Sequence, residues 1–149
     1  MIFERTDKII KKSYVQKNRN ILFLFGDNLK RFGLGGQAKE MRGEPNCIGI
    51  CSKKYPSNEQ SSFMTDNEYE KNCEIISSDI DKAIDAFKSL KYIKVIVPPI
   101  GIGLAQLPKR APRTWEFLLL LHLNMHCKHL SMEMLHIKSE FERLKKIVE

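Results

Sequence analysis

Short apolar runs alternate with amphipathic stretches along this chain. Ile21-Leu-Phe-Leu-Phe25 is continuously apolar between Asn20 and Gly26, the pattern of a strand buried on both faces in a parallel sheet. Cys47-Ile-Gly-Ile-Cys51 reads as a second short strand. Tyr92 to Val97 reads as a third, rich in β-branched residues and halted by Pro98-Pro99. Helical patterns fall between them. Gly36 to Arg42 suits a short helix stopped by Gly43 and Pro45. Ser52 to Met64 is polar, carries Pro56 and several serines, and reads as a loop. Thr65-Asp-Asn-Glu68 then has the spacing of a capping box. Beyond it Ile76, Ile80, Ala83, Phe87 and Leu90 recur at steps of three and four, one apolar face of an amphipathic helix. Pro112 can open another helix, with Trp115 and the leucines Leu118 to Leu121 against the sheet. Leu130, Met134, Ile137, Phe141, Leu144 and Val148 predict a last amphipathic helix over about 131–148. Nearer the start, Ile2-Phe3, Ile9-Ile10 and Tyr14-Val15 are candidates for edge strands.

The order β-loop-α-β-α-β-loop-α predicts an α/β fold with a mostly parallel sheet. No repeat, low-complexity tract or linker divides residues 1–149, so one domain is expected. Composition changes this little. Hydrophobic residues make up 42% and charged residues 29%, which is ordinary for a globular protein. No apolar run reaches the ~18 residues of a membrane span. The start, MIFERTDK, has no signal-peptide stretch, so no membrane association and a cytoplasmic location are expected. Cys47-x-x-x-Cys51 has a metal-like spacing, but no second cysteine pair or near histidine completes it. Reduced thiols, no metal and no cofactor are expected.

Two glycine-rich loops carry the candidate chemistry. Phe25-Gly-Asp-Asn-Leu-Lys-Arg-Phe-Gly-Leu-Gly-Gly-Gln37 holds four of the chain's eight glycines directly after the first predicted strand. Pro98-Pro-Ile-Gly-Ile-Gly-Leu-Ala-Gln-Leu-Pro108 follows the third. Glycine lets backbone approach a ligand closely, and free N–H groups can then donate to phosphate oxygens. In open α/β sheets ligands bind beyond the carboxyl ends of strands, so the loops are expected to face one cleft. Gly26, Gly33, Gly35, Gly36, Gln37, Gly101 and Gly103 are the candidate wall. Asp27 can accept from ribose hydroxyls or water, Asn28 suits a cis-diol, and Gln106 adds a polar group. Neither loop ends in the Gly-Lys-Ser/Thr of a P-loop, and Gly33-Leu-Gly35 is followed by Ala38 rather than a third fingerprint glycine.

Gly26-Asp-Asn-Leu with Gly33-x-Gly-Gly-Gln-Ala resembles the first ligand loop of macro domains. Ile96-Val-Pro-Pro-Ile-Gly-Ile-Gly-Leu-Ala-Gln-Leu-Pro108 resembles their second. The resemblance covers about residues 21–121 and extends to small macro-like proteins of bacteria and their large phages. It implies a three-layer sandwich with a mixed, mostly parallel sheet, and binding of ADP-ribose or a related nucleotide. Asn28 would hold the distal ribose, and Gly33, Gly35 and Gly36 would line that ribose and the diphosphate. Gly101, Ile102, Gly103, Leu104 and Ala105 would wrap the diphosphate, with Gln106 at the edge. An enzymatic version would hydrolyse a phosphate or ADP-ribosyl bond, with Asp27 orienting or deprotonating water and Asn28 positioning the ribose. The chain departs from the family's pattern in three places. Asp7 stands where an acidic residue reads adenine but in different surroundings, Ile102 replaces a hydroxyl residue, and Ser52 to Met64 does not align.

The formal net charge of +7 keeps a second reading open, a nucleic-acid-binding module. The basic residues are nevertheless spread along the chain, without interleaved aromatics. A third reading is a non-enzymatic protein that sequesters a nucleotide signal or captures a partner through the tail helix. The sequence leaves the oligomeric state open.

Overall fold

A computed structural model describes residues 2–89, 92–127 and 143–147. Strand β1 (Ile2–Arg5) and helix α1 (Lys12–Lys17) precede β2 (Ile21–Asn28), α2 (Ala38–Met41) and β3 (Cys47–Lys53). Helix α3 (Tyr69–Lys88), β4 (Lys94–Val97), α4 (Leu107–Arg110) and α5 (Pro112–Cys127) follow. The strands form one four-stranded sheet in the order β1-β4-β2-β3. Every pairing among the described residues is parallel, rather than mixed. Phe23 sits in register with Ile96 of β4 on one edge and with Cys47 of β3 on the other.

The continuous apolarity of Ile21–Phe25 has a direct structural cause. Alternate side chains enter different cores. Leu22 and Leu24 pack with Val95, Ile50, Ile76, Ile80, Trp115 and Leu118, beneath α3 and α5. Ile21, Phe23 and Phe25 pack with Val15, Ala38, Met41 and Ile96, beneath α1 and α2. Helices therefore cover both faces of the parallel sheet, and β2 has no polar side to spare.

Several local expectations change. Tyr14-Val15 lies in α1, with Val15 fully buried against the sheet, and Ile9-Ile10 joins no strand. Only Ile2-Phe3 forms the expected edge strand. The short helix after the first glycine loop has a single turn. Most of the expected tail helix lies outside the described residues, of which 143–147 are helical.

The capping box does not form. Thr65 makes no side-chain cap, and Glu68 instead pairs with Lys54. Asp66 between them reaches across the fold to the start of α5. Its carboxylate accepts from the N–H groups of Arg113 (2.9 Å) and Thr114 (3.0 Å) and from the Thr114 hydroxyl (3.0 Å). These are donors that a helix's first turn leaves unpaired. No helix among the described residues is long and apolar enough to cross a membrane. Asp66→Ala should lower stability by about 1–2 kcal/mol, the usual cost of losing a helix cap. Urea unfolding followed by circular dichroism measures it.

Candidate functional site

The carboxyl ends of β4, β2 and β3 border a cavity of about 390 Å³. The two glycine loops meet there. A Cβ placed on Gly35 would stand 2.9 Å from Leu104 Cδ1, so a side chain there would have to push the exposed Leu104 tip aside. Gly26, Asp27, Asn28, Gly33, Gly35, Gly36, Gln37, Gly101, Gly103, Leu104 and Ala105 all line this space. Ile102 and Gln106 do not. Ile102 borders a second cavity, and Gln106 turns away at φ 49° to accept from Arg110 Nε (3.1 Å).

The backbone of these loops holds the site's largest reserve of donors. The N–H groups of residues 33–37 and 101–105 find no protein acceptor among the described residues. Leu34, Gly35, Gly36, Ile102, Gly103 and Leu104 are exposed, so these donors are open to water and to any acceptor that displaces it. Gly33 and Gly101 hold φ of 103° and 88°, which aims successive peptides in ways other residues resist. The single turn of α2 is too short to contribute much of a helix dipole, so the loop amides themselves supply the field.

The side chains are more committed. Asp27 is 7% exposed, and both its oxygens are held by Arg42, Nη2 to Oδ1 at 2.5 Å and Nη1 to Oδ2 at 3.2 Å. Its Oδ1 also accepts from the Asn28 amide (2.7 Å). Arg42 Nε in turn donates to the Gly33 carbonyl (2.9 Å), tying the loop to the same guanidinium. The Asn28 side chain closes its own turn, donating to the Phe32 carbonyl (2.6 Å) and accepting from the Lys30 amide (3.0 Å). Gln37 exchanges two hydrogen bonds with the backbone of Ile10. Arg31, at φ 59°, anchors the loop's far side to buried Asp79 (2.8 Å), which also accepts from the Cys51 amide (2.8 Å). Asp27, Asn28 and Gln37 thus brace the loop while lining the cavity themselves.

A second cavity of about 250 Å³ lies on the other side of the second loop and shares Pro99 with the first. Trp115, Leu119, Ile100 and Ile147 give it an apolar lining, with Thr6 and Asp7 just beyond β1 and Arg143 as polar members.

A family model matches residues 5–120, which contain every residue of the first cavity. The chain belongs to DUF7831, a family of unknown function. No curated protein and no solved structure matches it.

Within the segment that defines DUF7831, sequence reasoning missed one wall of the cavity. Ser52, Lys53, Pro56, Ser57 and Asn58 line it, because β3 runs two residues beyond Cys51 and delivers the following loop to the site. Arg42 was also missed, since its partner is set by the third dimension. One local signal existed in Gly49. It pairs with Phe25 and lies diagonal to Asp27 on the β2–β3 pair, and a Cβ there would stand 2.7 Å from the Asp27 Cβ.

Burial above all pushes Cys47 and Cys51 up to about 12, and Cys47, Cys51 and Cys73 are all free thiols. No metal-binding group of His, Cys, Asp and Glu occurs among the described residues. Two outcomes follow. Asp27→Ala leaves Arg42 without its partner and should cost roughly 3 kcal/mol in urea unfolding, whereas Asp27→Asn should cost less. Cys51 should react with iodoacetamide at pH 8 roughly a thousandfold more slowly than in the unfolded chain, by mass spectrometry. Because the folded state holds that proton more tightly, its contribution to stability is complete below the ordinary thiol value of 9.0 and fades as pH rises toward about 12.

Proposed function

We propose that this protein binds ADP-ribose or a closely related nucleotide diphosphate across its two glycine loops. The carrying observation is that residues with unpaired loop amides, 33–37, 101 and 103–105, line one cavity at the carboxyl edge of a parallel sheet. A diphosphate presents acceptor oxygens in several directions and suits such a ring of neutral donors. The resemblance of both loops to those of macro domains supports the same ligand.

The two cavities fit its two ends. The distal ribose belongs beside Asn28 and Gly33, where the loop backbone is accessible. The base belongs in the second cavity, against Trp115 and Leu119, with the Asp7 carboxylate as acceptor for an exocyclic amine. The strap from Pro99 to Gly101 would then lie along the pyrophosphate.

The reading is one of binding first. Asp27, chelated by Arg42, serves as the anchor of the loop, and a hydrolytic step would have to begin with water polarised by the amides and the ligand's own oxygens.

Calorimetric titration of the full chain with ADP-ribose tests the proposal. Heat and a thermal shift are expected from the parent protein. Gly35→Val, whose side chain would enter the gap beside Leu104, should weaken binding at least about tenfold and leave the unfolding midpoint almost unchanged. A titration without heat, together with no thermal shift, overturns the reading. Steeply salt-dependent binding of oligonucleotides in its place would favour the nucleic-acid alternative.

A further inference from the structure

Lys53 is an unusual cation. It closes β3 on the wall of the first cavity and is only 8% exposed, yet its ammonium makes no hydrogen bond and no ion pair among the described residues. Its one recorded partner is the ring of Phe63, with Nζ 4.5 Å from the centroid. Arg110 of α4 lies over the same ring at 3.8 Å. Among the described residues that guanidinium donates only to neutral oxygens, Oε1 of Gln60 and Oε1 of Gln106. Other cations nearby differ. Lys54 pairs with Glu68, Arg42 with Asp27 and Arg31 with Asp79. Two positive charges therefore share one buried ring with no carboxylate to offset them.

Such an arrangement is costly by itself. Burial disfavours the ammonium, Arg110 repels it, and together they hold Lys53 below the usual lysine range. A ring face offsets part of that cost but does not neutralise charge. An anion within reach of both would.

We propose that Lys53, on the β3 wall of the first cavity, and Arg110, over the same Phe63 ring outside its lining, form an anion subsite at the cavity's border, holding a phosphate group by two charges where the loops offer only neutral amides. The inference rests on the nucleotide reading for the identity of the natural ligand, but the subsite itself requires only a phosphate. Gln60 and Gln106 position the Arg110 fork.

Binding of inorganic phosphate to the full chain, by calorimetry or ³¹P line broadening, tests the subsite apart from the nucleotide. The parent protein should bind phosphate with a Kd of about 1 mM. Lys53→Gln and Arg110→Gln should each weaken it about tenfold, as expected for loss of a charge-assisted contact. Lys30→Gln, which removes an exposed lysine lying over Tyr55 instead, should leave it unchanged. Unfolding midpoints of the two subsite variants should not fall, since an uncompensated cation is removed. Phosphate that fails to bind the parent, or binds both variants equally well, overturns the proposal. A parallel ADP-ribose titration separates the sources. Affinity lost in both variants assigns the subsite to a phosphate of the nucleotide. Phosphate binding that depends on the pair, with no ADP-ribose binding, leaves the subsite standing for free phosphate and removes the nucleotide reading.

Discussion

Parallel pairing of β2 with a neighbour on each edge is the constraint on which the site depends. β4 and β3 both run alongside β2 in the same direction, so the chain must leave all three strands at one edge of the sheet. The two glycine loops and the segment after β3 are then neighbours by geometry, whatever their own sequences. Helices on both faces make that arrangement obligatory, because parallel strands need crossovers and each crossover covers a face. The burial of Leu22, Leu24 and Phe23, all at 0% exposure, locks β2 against slipping by one residue, which would exchange its two cores.

The loops are shaped by a second layer of interactions that carry charge. Gly49 makes room for the Asp27 carboxylate, Asp27 fixes Arg42, and Arg42 holds the Gly33 carbonyl. Each step follows from the one before, and the chain of contacts runs from a strand interior to the tip of a loop. A buried carboxylate is tolerable only with such partners. The arrangement converts a costly charge into a rigid support for backbone that has no regular structure of its own.

Much of this was legible in the residues, for physical reasons that also mark where reading failed. The continuous run Ile21–Phe25 identified a strand buried on both faces because burial on both faces removes alternation. The glycines marked loops at strand ends because close approach and positive φ leave few other choices. Side-chain roles were not legible. Asp27 and Asn28 are polar residues beside a glycine loop, which describes a ligand contact and a loop brace equally well. Only the positions of Arg42 and the Phe32 carbonyl distinguish them. The Thr65–Glu68 spacing matched a capping box, but Lys54 claims Glu68, and Asp66 serves the start of a helix 46 residues further along the chain (Pro112 against Asp66). Tyr14-Val15 read as a strand from β-branched and aromatic propensity, which one buried valine on a short amphipathic helix satisfies as well.

Charge and amide donors divide the work of the site in a way that fits the excess of basic residues. Most cations near the loops are already matched: Arg42 by Asp27, Arg31 by Asp79, Lys54 by Glu68. The cavity wall combines apolar members such as Leu34, Pro56, Pro99 and Leu104 with unpaired backbone N–H groups, which need no counter-ion when the site is open to water. Such donors favour a ligand of definite shape over any polyanion that passes. Charge left uncompensated at Lys53 and Arg110 acts differently, since it attracts anions at longer range and in any orientation. A site built from both would draw phosphate toward β3 and then align it by the loops, so selectivity would come from the neutral part of the cavity. In that reading the net charge of +7 would govern encounter, and the geometry of the amides what is retained.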